Sequence, residues 1–112
     1  MTKVTFIKRN GIYIGFDAEG HAGFDNKGKD IVCAAISVLT INTVNSLEEI
    51  NHEDVSADVK DGNLVVRLKS NKESSSQTLI ESLILGLKSI QEEYGNKYVK
   101  VVYKEENANV KA

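Results

Sequence analysis

Proline and tryptophan are missing from this 112-residue chain, and cysteine and methionine occur once each. One cysteine forms no internal disulfide and excludes a cysteine-rich metal site, and it is compatible with a reducing compartment. The aromatic residues are four tyrosines and three phenylalanines, too few to suggest a base-stacking platform. Basic and acidic residues are interspersed, with a net charge of -2 and no basic run, so nucleic acid is not expected as the main ligand. No uninterrupted apolar run approaches the ~20 residues that cross a bilayer, so no membrane partner is expected. The opening Met1–Thr5 leads directly into a strand-like pattern without the apolar core of a signal peptide, and a cytoplasmic location is the expectation. Without proline or a low-complexity linker, residues 1–112 read as one domain. Residues 105–112 are expected to form a flexible polar tail.

What is present is an ordered series of periodicities. Two period-2 runs, Lys3–Arg9 and Gly11–Asp17, flank Asn10-Gly11, a strong hairpin signal because both central residues of the turn need positive φ. A glycine-containing stretch, 18–29, has no regular period and reads as an exposed loop. Asp30 precedes an apolar run read as a helix over Ile31–Asn45, extending at most to Ile50. It is apolar nearly all round, which calls for burial on more than one face: one against a sheet, another against a second helix or a partner subunit. A second hairpin follows at Val55–Lys60 and Leu64–Lys69. Ser74 and Gln77 have capping-box spacing, and a 3.6-period stripe from Leu79 to Tyr94 predicts a helix over Gln77–Tyr94, ended by Gly95. Val99–Tyr103 is a last strand. The expected class is α+β, in the order β-β-α-β-β-α-β, with one mixed or antiparallel sheet packed by two helices.

The chemistry concentrates between residues 20 and 37, which hold the sole cysteine and one of two histidines. A thiol is a weak nucleophile until it ionises, near pH ~8.5 when free. Helix N-termini and neighbouring imidazolium groups both favour the thiolate. With Asp30 as N-cap, Cys33 is the third helical residue, close to the unpaired amides of the first turn. His21, across the loop, is a candidate general base, and the amides around Cys33 are candidates for an oxyanion site. Plainer readings stand beside these: Cys33 as a small packed hydrophobe, His21 as a solvated turn residue, Asp30 as a cap only, and Ser37 bonded back to its own helix. His52 in its polar connector reads as surface. A zinc site from His21, Asp30 and Cys33 lacks a fourth ligand at any usual spacing.

The paired motif Gly20-His21-Ala22 and Asp30-Ile31-Val32-Cys33-Ala34-Ala35-Ile36-Ser37 resembles the ribosomal-processing cysteine proteases, the Prp family, with a matching order of elements over nearly the whole chain. The resemblance implies a peptide hydrolase without a cofactor. In it His21 is general base and acid, Cys33 is the nucleophile, and Asp30, Ser37 and Gly20 support them. Ala22, Gly23, Phe24 and Gly28 would belong to a loop that moves over the substrate. The resemblance further implies a homodimer that removes a short N-terminal extension from the twenty-seventh L-series protein of the large ribosomal subunit, after a Phe-rich segment. The competing function is a non-catalytic ribosome-assembly module that binds such a protein without cutting it.

Overall fold

The computed structural model describes residues 1–20, 23, 25–26 and 30–106. Its elements are β1 (Thr2–Arg9), β2 (Ile12–Glu19), α1 (Ile31–Glu49), β3 (Val55–Lys60), β4 (Asn63–Leu68), α2 (Ser75–Tyr94) and β5 (Val99–Glu106). The expected order and class hold. The sheet is mixed, in the order β3-β4-β2-β1-β5, with β1 and β5 parallel and the other neighbours antiparallel.

Both hairpins close as their sequences require. Asn10 and Gly11 have φ of 54° and 77°, and Asp61 and Gly62 have φ of 53° and 79°. Alternation then sends Val4 and Phe6 of β1, Phe16 of β2 and Val66 and Leu68 of β4 into one core, with Val32, Ile36, Val44 and Leu47 of α1 and Ile80, Leu83, Ile84 and Leu87 of α2. On the opposite sheet face Arg67 grips Asp17 with two hydrogen bonds, of 2.6 and 3.3 Å. The strict alternation expected for β2 breaks between Tyr13 and Gly15. Lys8 pairs with Tyr13 while Ile7 pairs with Gly15, leaving Ile14 as a bulge. Tyr13 therefore reaches the side of Phe6, 6.3 Å away between ring centroids.

The capping box expected from Ser74 and Gln77 does not form, since Ser74 makes no side-chain cap bond. The Gln77 amide is engaged elsewhere. It accepts from the Tyr13 backbone N–H (2.8 Å) and donates to the Tyr13 carbonyl (2.9 Å). The β2–β4 ladder has already ended at Gly15, so this side chain pairs backbone that β4 does not reach. The approach to α2 is held instead by Glu53, which sequence placed in a polar connector and which is only 5% exposed. Its carboxylate accepts from the N–H groups of Lys72 and Glu73, each at 2.9 Å, and from the Ser76 hydroxyl. Burial alone would raise its pKa. The Ser76 hydrogen bond, the two backbone N–H groups and the Lys72 charge outweigh burial and hold it below 4.5. A depressed carboxylate stabilises the fold above its unfolded pKa and loses that contribution as pH falls through its folded pKa. Glu53→Gln should therefore cost about 1–3 kcal/mol at pH 7, read by denaturant titration. The gap from the parent should narrow as pH drops below 4.5.

Two boundaries differ from expectation. β5 continues through Glu105 to Glu106, where Arg9 on β1 donates to the Glu106 carboxylate at 2.7 Å, so the start of the expected tail is strand. Residues 107–112 lie outside the described residues. α1 runs 19 residues with a mean hydropathy of 1.5, so by length and composition it reaches what a membrane span needs, contrary to the reading of the apolar runs. It packs on α2 and on β3 as a core helix. The expected contact with a second helix is made with α2, and a remaining stripe is open, with Ile31, Val38 and Ile41 exposed by 55, 67 and 55%.

Candidate active site

The sheet order puts β2 beside β4, and the β1–β2 hairpin delivers Gly20 to the end of the sheet near the start of α1. Gly20 has φ of 87°, and a Cβ there would sit 2.5 Å from the Met1 carbonyl oxygen. Both the backbone conformation and the close approach to β1 require glycine. His21 follows Gly20 in the chain; it lies outside the described residues, as do Ala22, Phe24 and Gly28. Gly23 is exposed with φ of 73° and open space around it.

Asp30 is the N-cap of α1: its Oδ1 accepts from the Cys33 backbone N–H at 2.8 Å. Cys33 is thus the third residue of the helix, as the motif predicts. The same bond corrects the expected oxyanion site. The Cys33 amide is committed to the cap, and that of Ala34 donates to the Asp30 carbonyl at 3.0 Å. Among the described residues, the first-turn amides of Ile31 and Val32 take part in neither of these bonds.

The Cys33 side chain is half-buried and lines an open cleft of ≈ 260 Å³ between α1 and the sheet end. Gly20 and Ser37 line it too, so three sequence-predicted positions converge there. Among the described residues no charged side chain lines it. Lys3 and Glu19 pair at 3.4 Å beside Gly20 in an adjoining hollow, both about half exposed and so worth little to stability. Among the described residues no group of three or more histidines, cysteines or acids could hold a metal. His52 is exposed, with φ of 55°. Sequence reasoning missed the walls: Ala18, Leu64 and Val59 below, Ile36, Thr40 and Ile41 above. The signal was present for the floor, because a two-residue turn at Asp61-Gly62 sets Val59 opposite Leu64.

The Peptidase_Prp family, described as cysteine protease Prp, matches residues 1–100. The ribosomal processing cysteine protease Prp of Staphylococcus aureus strain Mu50 is 30% identical over 88 residues, covering 77% of this chain and 82% of that protein. Two crystal structures of the S. aureus protease superpose over 93% of this chain and all of theirs. One has a covalently linked product peptide (TM-score 0.85, 26% identity), the other a substrate peptide (TM-score 0.80, 25% identity). With a family model matched over residues 1–100 and a relative 30% identical over most of both chains, this chain belongs to the Prp family of ribosomal-processing cysteine proteases.

Proposed function

We propose that the protein removes the N-terminal extension of the twenty-seventh L-series protein of the large ribosomal subunit, cutting after a Phe-rich segment, with Cys33 and His21 as a catalytic dyad. The observation that carries this is the position of Cys33: at the start of α1 and on the wall of an open cleft whose described lining carries no charge. The Cys33 sulfur attacks the scissile carbonyl carbon, and the oxyanion is met by first-turn amides of α1. The C–N bond breaks as His21 protonates the departing amine. Water, giving its proton to His21, then hydrolyses the thioester and frees the thiol. Asp30 holds the helix start, and with it the nucleophile, in register; turning His21 toward the sulfur is a second role. Ser37, one turn on from Cys33, lines the same cleft. Ala22, Gly23, Phe24 and Gly28 belong, in this reading, to a loop that moves over the bound peptide. The S. aureus relative with its covalently linked product peptide supports the acyl-enzyme route. The work belongs in the cytoplasm, where ribosomal proteins are made. Incubation with a peptide bearing the Phe-rich extension, with cleavage followed by mass spectrometry, tests the reading.

The same proposal includes a homodimer through α1. Ile31, Ala34, Val38 and Ile41 fall at three- and four-residue spacing on its exposed face, and no charged residue interrupts the helix from Ile31 to Leu47. Sedimentation should find two chains per particle for the parent. Val38→Asp, which would set a charge in that seam, should shift the species to one chain. A parent sedimenting as one chain at micromolar concentration would remove the dimer from the proposal.

A further inference from the structure

Thr2 stands where a core residue would. It begins β1, and alternation sets it in one row with Val4 and Phe6, whose side chains are fully buried. The row ends at the cleft, which Thr2 lines together with Gly20 and Cys33. Thr2 is 5% exposed. Its backbone is pinned, since its N–H donates to the Tyr98 carbonyl at 2.9 Å, and its β-branched side chain has little rotational freedom. Yet its hydroxyl has no hydrogen-bond partner among the described residues. Nor is that oxygen sealed in the core. Among the described residues the buried side-chain oxygen without a partner is that of Ser70, so the Thr2 oxygen keeps access to the cleft. A valine would fill the same space with a methyl group and leave no polar atom to satisfy.

The rest of the described lining offers a guest few polar partners. Ala18, Ile36, Ile41, Val59 and Leu64 are apolar. The Thr40 hydroxyl is spent within its own helix, donating toward the carbonyls of Ile36 (3.0 Å) and Ser37 (3.1 Å). Ser37 is exposed, with solvent at hand. A peptide entering such a cleft loses water from its main-chain N–H and C=O groups, and each one left unpaired opposes binding. We infer that the Thr2 hydroxyl hydrogen-bonds a main-chain group of the peptide bound beside Cys33. This rests on the peptide substrate proposed above and adds a residue that holds it. The hydroxyl both donates and accepts, so an N–H or a C=O suits it. Gly20 favours a main-chain partner. A Cβ there would lie 3.8 Å from the Thr2 Cα, and without one a peptide backbone can come close to the hydroxyl. Open to solvent in the free protein, the hydroxyl is shielded when the peptide covers it, and the new bond replaces the one lost to water.

The test measures kcat and KM on the peptide bearing the Phe-rich extension for the parent, Thr2→Val and Thr2→Ser. Thr2→Val keeps the shape and branching and loses the hydroxyl. Its KM should rise about fivefold to tenfold, the scale of one neutral hydrogen bond, with kcat within about twofold of the parent. Its thermal midpoint should equal or exceed the parent's, since the fold makes no use of the hydroxyl. Thr2→Ser should recover most of the parent's KM. An unchanged KM in Thr2→Val overturns the contact, as does a Thr2→Ser no better than Thr2→Val. A lowered thermal midpoint in Thr2→Val would show the hydroxyl serving the fold and overturns it too. A binding measurement separates this inference from the proteolytic reading. Fluorescence anisotropy of the fluorescein-labelled extension peptide gives Kd for Cys33→Ala and for Cys33→Ala/Thr2→Val with no bond cut. A Kd weakened about fivefold by the second substitution, beside a parent that does not hydrolyse the peptide, removes the proteolytic reading and leaves the contact. Equal Kd values beside a parent that does hydrolyse it remove the contact alone.

Discussion

Cys33→Ser is expected to lower kcat/KM on the extension peptide by a factor on the order of 10⁴ or more, with the fold unchanged. Serine keeps the size and the helix position, and its backbone N–H still donates to Asp30 at the cap. What it lacks is an acidic, polarisable nucleophile, since a hydroxyl at that position needs a far stronger base than a thiol does. His21→Ala should fall comparably, and combining the two should add little, because the two groups act in one step. Single-turnover cleavage and circular dichroism on the same samples separate chemistry from folding. Cleavage by Cys33→Ser at the parent rate would leave the cysteine as packing and return the ribosome-assembly module as the working account.

The second large effect lies in the core. Phe6 is fully buried and central to an aromatic cluster, with ring centroids 5.7 Å from Phe16, 6.3 Å from Tyr13 and 6.4 Å from Tyr103. Phe6→Ala removes a ring that meets three strands, and refilling the gap would require movement in β1, β2 and β5 together. A cost of about 3–5 kcal/mol is expected, a large share of the roughly 5–15 kcal/mol that holds a domain folded. The thermal midpoint should drop by more than about 10 °C. Denaturant unfolding measures the loss directly, and a change below about 1 kcal/mol would mean that the cluster is not the centre of the core.

Local chemistry explains which features were legible in the sequence. Asn10-Gly11 and Asp61-Gly62 announce their turns because few residue pairs tolerate two successive positive φ angles. The apolar stripe of α2 announces a helix by its period, and Asp30 three residues before Cys33 announces a cap. The features that escaped depend on partners far along the chain. Glu53 looks like a solvated connector residue until Lys72, Glu73 and Ser76 fold over it. Gln77 has the spacing of a capping partner, yet the backbone of Tyr13, 64 residues away and beyond the end of β4, claims its amide. The bulge at Ile14 shows only as one register step between β1 and β2. The site divides in the same way. Cys33, Asp30 and Ser37 could be named from a motif, whereas the cleft floor needs β2, β4 and β3 laid side by side.

The parallel pairing of β1 with β5 has a consequence for how the enzyme is made. Thr2 pairs with Val99 and Arg9 with Glu106, so every rung of that ladder spans 97 residues. β1 also forms the hairpin that presents Gly20 to the cleft, and until β5 arrives one of its edges is bare. Such distant pairing is entropically costly and forms slowly. A nascent chain on the ribosome therefore carries its nucleophile and both hairpins well before it carries a finished sheet. The sheet is closed only when the last strand to be made pairs with the first.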